Sequence, residues 1–240
     1  GIKPIIGMEA YLAPDSRFDK DKDDRYYHLI LLAINNVGYK NLMKLASLGH
    51  LEGFYYKPRI DKELLKKYHE GLVASSACFS GEIPWILRKE DNYDKAKNKA
   101  LEYEEIFGKG NFYLEMMDLP ALEGQMELNT KLIQLSKDTG VPLIVTRDTH
   151  YLKPEDAEAQ DILTCIRDGR TLDEENRVTM NAFDCSLAPA KEIIGRFKHA
   201  PEAIANTVKI AERADLKLEL NKWHFPAIDI PQGKSADDYL

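Results

Sequence analysis

The chain has 240 residues and a formal net charge of −7, with 44% hydrophobic and 30% charged residues. This balance is typical of a soluble globular domain, alone or with an appendage, and we find no apolar run of about 18 residues that could span a membrane. The acidic balance does not indicate a protein that holds DNA mainly through its phosphates, because such proteins usually have a basic face.

The cysteines and the first residues predict the compartment. Cys78, Cys165 and Cys185 are odd in number and widely spaced, so they form no disulfide framework and favour a reducing environment. The chain opens at Gly1 without an initiator Met, and without the basic and apolar segments of a signal peptide. We therefore expect a cytoplasmic protein and a fragment of a longer chain.

The first two predicted strands, residues 3–13 and 28–35, flank a charged tip at residues 15–25. We expect them to form a long hairpin. A register that pairs Ala13 with Tyr26 would place His28 opposite Tyr11 and within diagonal reach of Glu9.

Helices and strands then alternate as far as residue 146. Helical spacing and end signals, such as Asp61 and either Asp91 or Asn92 at helix starts, predict helices at residues 38–49, 61–68, 81–89, 92–107 and 121–137. Short apolar runs predict strands at residues 72–77, 112–117 and 142–146. The aromatic and basic stretch at residues 53–59 is predicted to be a loop.

Beyond Tyr151 the strand signals stop. Residues 154–166 and 201–214 are predicted helices, and from Leu216 the chain becomes extended and carries Pro226 and Pro231, like a linker. The alternation before Tyr151 predicts an α/β fold with a mainly parallel sheet. Because no Gly-rich dinucleotide-binding turn is present, a barrel is favoured over a doubly wound sheet.

Asp148 and His150 follow the apolar strand that ends near residue 146. Residues two apart in an extended segment point to the same side, so a carboxylate and an imidazole would project together. Active-site groups gather at this end of barrel strands. The alternative is an Asp that caps a turn beside a surface His.

Glu9 and His28 are polar residues in apolar strands. A carboxylate such as Glu9 is costly to bury unless it is paired or bound to a cation, although Glu9 could alternate out to solvent. A lone strand histidine such as His28 is more often an ordinary core or surface residue.

Cys78 follows the short strand at residues 72–77 and precedes a helix, whose N-terminus would favour a thiolate. The alternative is a buried small hydrophobe, which is our interpretation of Cys165 and Cys185. Thiolate and imidazole donors favour zinc, and carboxylates also permit manganese or iron. The candidate metal ligands are Glu9, His28, Cys78, Asp148 and His150.

A nucleic-acid contact is a further possibility at residues 54–59. Aromatic side chains there, followed by Lys62, Lys66 and Lys67, could stack on bases and meet phosphates. A solvated helix face is the commoner meaning of such lysines.

Several long segments carry a family resemblance. GIKPIIGMEAY from Gly1, HLILLAINNVGYKNLMKL from His28, GFYYKPRID from Gly53, GLVASSACFSGEIP from Gly71 and PLIVTRDTHYLKPEDAEAQDILTCIRDG from Pro142 resemble, in order and spacing, the PHP (polymerase and histidinol phosphatase) domains of bacterial replicative polymerases, the DNA polymerase III alpha subunits. Residues 203–213 are similar to the segment that leads into the polymerase palm, so the resemblance covers nearly the whole chain.

The resemblance implies a distorted seven-stranded TIM-like (β/α) barrel, here lacking its first strands, with a C-terminal helical extension. Residues 1–170 would be the partial PHP domain, and residues 171–240 would lead toward the palm. The family holds up to three metal ions with nine side chains, and the five candidate ligands fall on five of those positions. The other four, in an HxH-type motif, an acidic residue close behind it and a TDH-type motif, would lie upstream. Arg147 stands where Asn is common, beside the site, and Ala77 where Gly is common.

The resemblance implies that the chain is part of a DNA-directed DNA polymerase that acts in DNA replication. It leaves two hypotheses for the function of this domain. The domain is a metal-dependent 3′–5′ exonuclease or phosphoesterase, with no general base assigned, or a metal-stabilised scaffold that docks a proofreading exonuclease. A free-standing PHP phosphatase is disfavoured by the palm-like tail. Implied partners are the rest of the alpha subunit, DNA, the exonuclease subunit and the sliding clamp. The fragment alone is expected to be weakly active or inactive, and it lacks the palm carboxylates for nucleotidyl transfer.

Overall fold

The structure is a computed structural model, and it describes residues 2–21, 25–177, 179, 181, 183–223 and 229–239. Gly1, Pro226 and part of the charged tip at residues 15–25 lie outside the described residues. No helix in these ranges is long and apolar enough to cross a bilayer.

The described elements alternate through the first two thirds of the chain. The strands are β1 (Gly7–Leu12), β2 (Tyr27–Ala33), β3 (Phe54–Tyr55), β4 (Lys57–Ile60), β5 (Leu72–Ser75), β6 (Phe112–Met117) and β7 (Leu143–Thr146). The helices are α1 (Asn36–Leu51), α2 (Lys62–Tyr68), α3 (Glu82–Trp85), α4 (Tyr93–Phe107), α5 (Gln125–Thr139), α6 (Ala157–Asp168), α7 (Ala190–Arg196), α8 (Pro201–Arg213) and α9 (Ala236–Tyr239). A π-helical turn (Ile86–Glu90) extends α3, and a 3-10 turn (Pro154–Asp156) precedes α6.

The fold is mixed α/β, as predicted, around one seven-stranded sheet with the order β3-β4-β1-β2-β5-β6-β7. β1/β4, β5/β6 and β6/β7 are parallel pairs. The other three pairs, β1/β2, β2/β5 and β3/β4, are antiparallel. A pairing of β3 with β7 that would close a barrel is not found among the described residues, so the barrel stays a prediction.

The main core lies between the sheet and helices α1, α4 and α5. It is built from apolar residues that alternate along the strands and recur on one face of each helix, such as Leu29 and Leu31 on β2 and Leu128, Leu132 and Leu135 on α5. The helices therefore bury one stripe each and hold the strand ends in place.

Polar side chains fix where several helices begin. Asn35 accepts a hydrogen bond from the backbone N–H of Gly38, Asp61 from Leu64 and Asn92 from Lys95. Each satisfies a donor that the first helical turn would leave unpaired. Asp61 acts as predicted, and Asn92 rather than Asp91 caps α4.

The loop prediction for residues 53–59 was wrong, because this stretch forms the tight hairpin β3–β4. The turn lies at Tyr56, whose φ is 58°. Arg59 is buried and donates to the carbonyl oxygens of Gly53, Arg17 and Asp19, while β4 pairs with β1. Arg17, Asp19 and β1 are distant in sequence, so local composition did not reveal the strands.

Two helix predictions also differ from the structure. The predicted helix at residues 121–137 begins only at Gln125, because residues 119–124 form turns that end at Gly124 with a φ of 81°. Helices α7 and α9 were not predicted, since both are short; α9 lies in the tail from Leu216 that was expected to be extended.

Candidate metal centre

The β1–β2 hairpin brings Glu9 and His28 together. Tyr11 pairs with His28 across the hairpin, which confirms the predicted register. His28 is therefore diagonal to Glu9 on the same face. The Glu9 Oε1 atom lies 2.7 Å from His28 Nδ1.

Cys78 reaches this pair from the loop after β5. β5 runs beside β2, and the backbone turns at Ala77, whose φ of 58° is of the kind that favours glycine. The backbone N–H of His28 donates to the Ser80 carbonyl oxygen at 2.9 Å, which holds the loop against β2. Cys78 Sγ lies 3.6 Å from His28 Nδ1, and the donor atoms of Glu9, His28 and Cys78 lie within 4.8 Å of one another.

Asp148 and His150 lie in the segment after β7. Asp148 has a φ of 55°, and the backbone N–H of His150 donates to the Cys185 carbonyl oxygen at 3.0 Å. His150 Nδ1 lies 2.7 Å from the backbone oxygen of Asp148 and 3.9 Å from its Oδ1. Both residues line a cavity that Cys78 also lines, but among the described residues only Glu9, His28 and Cys78 form a cluster of donor atoms within 4.8 Å.

The electrostatics of this cluster favour a proton on His28. Burial lowers the pKa of His28, but its hydrogen bonds to Cys78 and Glu9 outweigh burial and raise the pKa to about 10. The hydrogen bond from His28 in turn lowers the pKa of Glu9. Burial raises the pKa of Asp148. A cation at His28 must therefore displace this proton.

The donor set fits a small divalent cation. It combines a carboxylate oxygen, an imidazole nitrogen and a sulfur, and Zn²⁺ binds such atoms at about 2.0–2.3 Å. Donors around one such ion lie no more than roughly twice that distance apart, and the donor atoms of Glu9, His28 and Cys78, within 4.8 Å of one another, are close to this spacing without an ion.

Glu115 is a further buried carboxyl beside the cluster, and our sequence reasoning missed it. It accepts hydrogen bonds from Ser75 Oγ and, at 2.6 Å, from Thr146 Oγ1. Burial raises the pKa of Glu115, with Asp148 and Glu9 adding to the rise. Glu115 thus joins the ends of β5 and β7, from which Cys78 and Asp148 follow. The sequence did carry a signal for Glu115, because it is an acidic residue inside the apolar run FYLEMM. The same kind of signal singled out Glu9.

The guanidinium of Arg147, which stands where Asn is common in the family, is fully engaged with its neighbours. Its buried guanidinium pairs with Asp118 at 3.0 Å and with Asp184 at 2.7 Å, and it donates to the Ser186 carbonyl oxygen at 2.6 Å. Arg196 of α7 also binds Asp118. This cluster ties α7 and residues 184–186 to the ends of β6 and β7.

The segment predicted to contact nucleic acid has a mixed environment. Phe54 and Tyr56 are exposed on the β3–β4 hairpin. Lys62 is mostly buried, however, and pairs with Glu82 at 3.0 Å and with Glu102 at 2.8 Å. Lys62 is therefore a structural residue, whereas Lys66 and Lys67 are exposed in the last turn of α2.

Comparisons with known proteins agree with these features. The model of the PHP domain family matches residues 1–119. The whole chain is 47% identical over 245 residues to the DNA polymerase III subunit alpha of Borreliella burgdorferi, covering 21% of that protein. It is 39% identical to that of Treponema pallidum and 38% identical to that of Aquifex aeolicus, over the whole chain and 20% and 22% of those proteins. The chain thus spans about a fifth of the length of these relatives.

Proposed function

Because the chain belongs to the PHP domain family, we propose that it is part of a bacterial replicative DNA polymerase and that it hydrolyses phosphodiester bonds as a metal-dependent 3′–5′ exonuclease. Its relatives are named DNA polymerase III subunit alpha. In this proposal residues 1–170 form the PHP domain, residues 171–240 lead toward the palm, and the protein works in the cytoplasm. The rest of the alpha subunit, DNA, the proofreading exonuclease and the sliding clamp are its partners.

The convergence of Glu9, His28 and Cys78 within 4.8 Å carries this proposal. These residues come from three separate places in the chain, and ordinary core packing gives no reason to gather an acid, an imidazole and a thiol. Asp148 and His150 line the adjoining cavity. We propose all five as metal ligands, with zinc as the first candidate and manganese or iron as alternatives.

The surroundings of Glu9, Glu115 and Asp148 indicate what each would do at the proposed site. A bound divalent cation would polarise a phosphoryl oxygen and lower the pKa of a coordinated water. Before an ion binds, Glu9 accepts from His28 and orients its ring, and Glu115 keeps the segments of Cys78 and Asp148 in register. Asp148 is half-buried, and a divalent cation bound to its carboxylate would offset the repulsion between that carboxylate and a phosphodiester.

The test is hydrolysis of single-stranded DNA by the full-length polypeptide with manganese or zinc. We expect Asp148→Ala to reduce the rate at least a hundredfold, because a ligand and a charge are lost together. Asp138→Ala, at the opposite end of α5 from the cavity, is the matched control and should leave the rate unchanged. Equal rates for wild type and Asp148→Ala would refute the exonuclease. The 240-residue chain alone should be weakly active or inactive.

One observation favours a second candidate, a metal-stabilised scaffold that docks the proofreading exonuclease. Helix α6 turns polar residues inward and exposes an apolar face made of Ala159, Ile162, Leu163 and Ile166. Leu163 is 59% exposed and Ile166 71% exposed. An apolar face of this kind is typical of an interaction surface. If Ile166→Asp weakens capture of the exonuclease subunit while Asp148→Ala leaves DNA hydrolysis unchanged, the scaffold is the function.

A further inference from the structure

Arg88 is a half-buried arginine next to the candidate metal centre. Its guanidinium carbon lies 3.3 Å from the centroid of the Phe79 ring. Phe79 follows Cys78 in the chain, and it lines the same cavity as Cys78, Asp148 and His150. Burial lowers the pKa of Arg88, and the nearby Cys78 sulfur opposes that shift. The positive charge of Arg88 therefore acts on the Cys78 side of the metal centre.

This guanidinium has no acceptor among the residues that the structure describes. Apart from Arg25, which lies over the ring of Trp85, every other arginine of the chain donates to a carboxylate or a carbonyl oxygen. A charged group that is partly removed from water without such a partner is costly. Arg88 thus differs from the arginines that hold the fold together.

Stacking on Phe79 offsets part of this cost, but it uses only the face of the guanidinium. The five N–H donors of an arginine lie in the plane of the group, so the stack leaves them free. A guanidinium that is oriented in this way suits phosphate, whose oxygens accept two parallel hydrogen bonds from it. The Phe79–Arg88 stack therefore presents a phosphate-binding edge beside the metal centre.

A polar cavity of about 370 Å³ opens beside this stack. Arg88, Lys89 and Lys131 line it, together with Glu123 and Glu127. Lys131 pairs with Glu127 at 3.1 Å, so these two charges offset each other. Lys89 is exposed, and within the described ranges it makes no ion pair. The cavity therefore keeps two uncompensated positive charges, on Arg88 and Lys89, against the single carboxylate of Glu123.

A single strand of DNA fits both the stack and the cavity. In 3′–5′ hydrolysis the 3′-terminal phosphodiester lies at the ions, and the other nucleotides lead away on its 5′ side. Proteins hold such strands with cations that follow the phosphates and with aromatic side chains. The chain as a whole is acidic, with a net charge of −7, so an uncompensated pair of cations beside the metal centre marks a local path for a polyanion.

We propose that Arg88 and Lys89 bind the phosphates of single-stranded DNA on the 5′ side of the scissile bond, and that the strand crosses the Phe79–Arg88 stack as it leaves the metal centre. This rests on the proposed phosphodiester hydrolysis and gives the path of its substrate. Arg88 and Lys89 hold the strand and take no part in breaking the bond. Glu123 weakens the binding, because its carboxylate lines the same cavity.

The test measures the affinity of the chain for fluorescein-labelled octathymidylate by fluorescence anisotropy, with a chelator present so that no metal contributes. Arg88→Met keeps an apolar contact with Phe79 and should weaken binding about tenfold, which corresponds to about 1.4 kcal/mol. The slope of log affinity against log salt concentration should become shallower by about 0.7 in Arg88→Met and in Lys89→Met, since each loses one phosphate contact. Arg88→Lys keeps the charge and should keep the slope. Glu123→Gln should strengthen binding.

The matched control is Lys44→Met, which removes an exposed lysine from α1 and should leave affinity and slope unchanged. The proposal is overturned if wild type does not bind the oligonucleotide, if Arg88→Met or Lys89→Met binds as wild type does, or if Lys44→Met loses as much affinity as they do. If Arg88→Met fails to fold, Lys89→Met and Glu123→Gln still decide, because both side chains are exposed. Hydrolysis with manganese is measured separately: binding of this kind without hydrolysis would remove the exonuclease and leave the DNA-binding surface.

Discussion

At His28, the hydrogen bonds that hold the ring beside Glu9 and Cys78 also hold a proton. Because the pKa of His28 is raised from 6.5 to about 10, this contribution to the stability of the metal-free protein is fully present below pH 6.5. It is lost as the pH rises through about 10. The same proton competes with any cation for the ring nitrogen.

We therefore predict that zinc affinity rises at least about tenfold per pH unit between pH 7 and 9, because binding displaces a proton from His28 and from any other ligand that is protonated. Competition with a chelator of known affinity at several pH values measures this slope. Glu9→Gln weakens a hydrogen bond that raises the pKa of His28, so its slope should flatten at a lower pH than in wild type. A slope near zero in wild type would show that His28 is not a ligand.

Arg147 supports a second prediction at the residue scale. Arg147→Met should reduce the free energy of unfolding by about 2–3 kcal/mol, since it breaks a buried ion pair with Asp118. The Asp118 carboxylate would keep its ion pair with Arg196. Urea denaturation measures the change. The control is Arg167→Met, whose partner Asp168 is a surface residue, and no measurable change is expected there. Similar stabilities for the two variants would mean that the Asp118 cluster is not structural.

At the scale of elements, two helical glycines differ sharply in their surroundings. A Cβ at Gly38, in the first turn of α1, would lie 1.9 Å from the Gly71 carbonyl oxygen, and Gly71 itself has a φ of 72°. A Cβ at Gly195 in α7 would meet nothing within 4 Å. Close packing of α1 against the chain before β5 therefore depends on the missing side chain of Gly38.

Alanine at these two positions should have opposite effects. Gly38→Ala should destabilise the protein by about 1–3 kcal/mol, because the backbone must move apart. Gly195→Ala should be neutral or stabilise by up to about 1 kcal/mol through helix propensity. Thermal and urea unfolding of both variants measure the difference. If Gly38→Ala were as stable as Gly195→Ala, the close approach to Gly71 would be in error.

Local signals predicted most elements, and they failed where distant contacts decide. Strand β6 was predicted at its observed bounds. A short apolar run between the polar residues Asn111 and Asp118 is enough to identify a buried strand and both of its ends. The β3–β4 hairpin was missed because β4 depends on pairing with β1 and on the buried side chain of Arg59. The start of α5 was misplaced because turn residues at 119–124 resembled a helical start.

The candidate site was predictable to a similar extent. The proximity of Glu9 and His28 could be predicted, because the register of a hairpin follows from counting residues back from its turn. Cys78, Asp148 and His150 were placed by their position after strands and by the resemblance. The hydrogen bonds of Glu115 are tertiary contacts that join β6 to β5 and β7, and no spacing rule predicts them.

At the scale of the whole molecule, the candidate ligands join segments that are far apart in sequence. Glu9 and His28 come from the hairpin, Cys78 from the loop after β5, and Asp148 and His150 from the segment after β7. A cation that bridges them acts only on the folded state, since the unfolded chain holds these donors apart. Metal binding and stability should therefore be linked.

We predict that zinc at about a hundred times its dissociation constant stabilises the protein by about 2.7 kcal/mol and raises Tm by roughly 5–10 °C. Differential scanning calorimetry with and without a chelator measures this shift. Cys78→Ser should lose most of the shift. Cys165→Ser, which changes a buried cysteine outside the cluster, should keep it even if its baseline Tm is lower. Equal shifts for both variants would remove Cys78 from the ligand set.

The β1–β2 hairpin has a consequence for biosynthesis. It carries two of the five proposed ligands within one local unit, and domains form in order as a nascent chain leaves the ribosome. Once this hairpin has paired, Glu9 and His28 lie together, whereas Asp148 and His150 are translated much later. The proposed ligand set would therefore be complete only when β7 has joined the sheet, and stable metal binding would follow that step.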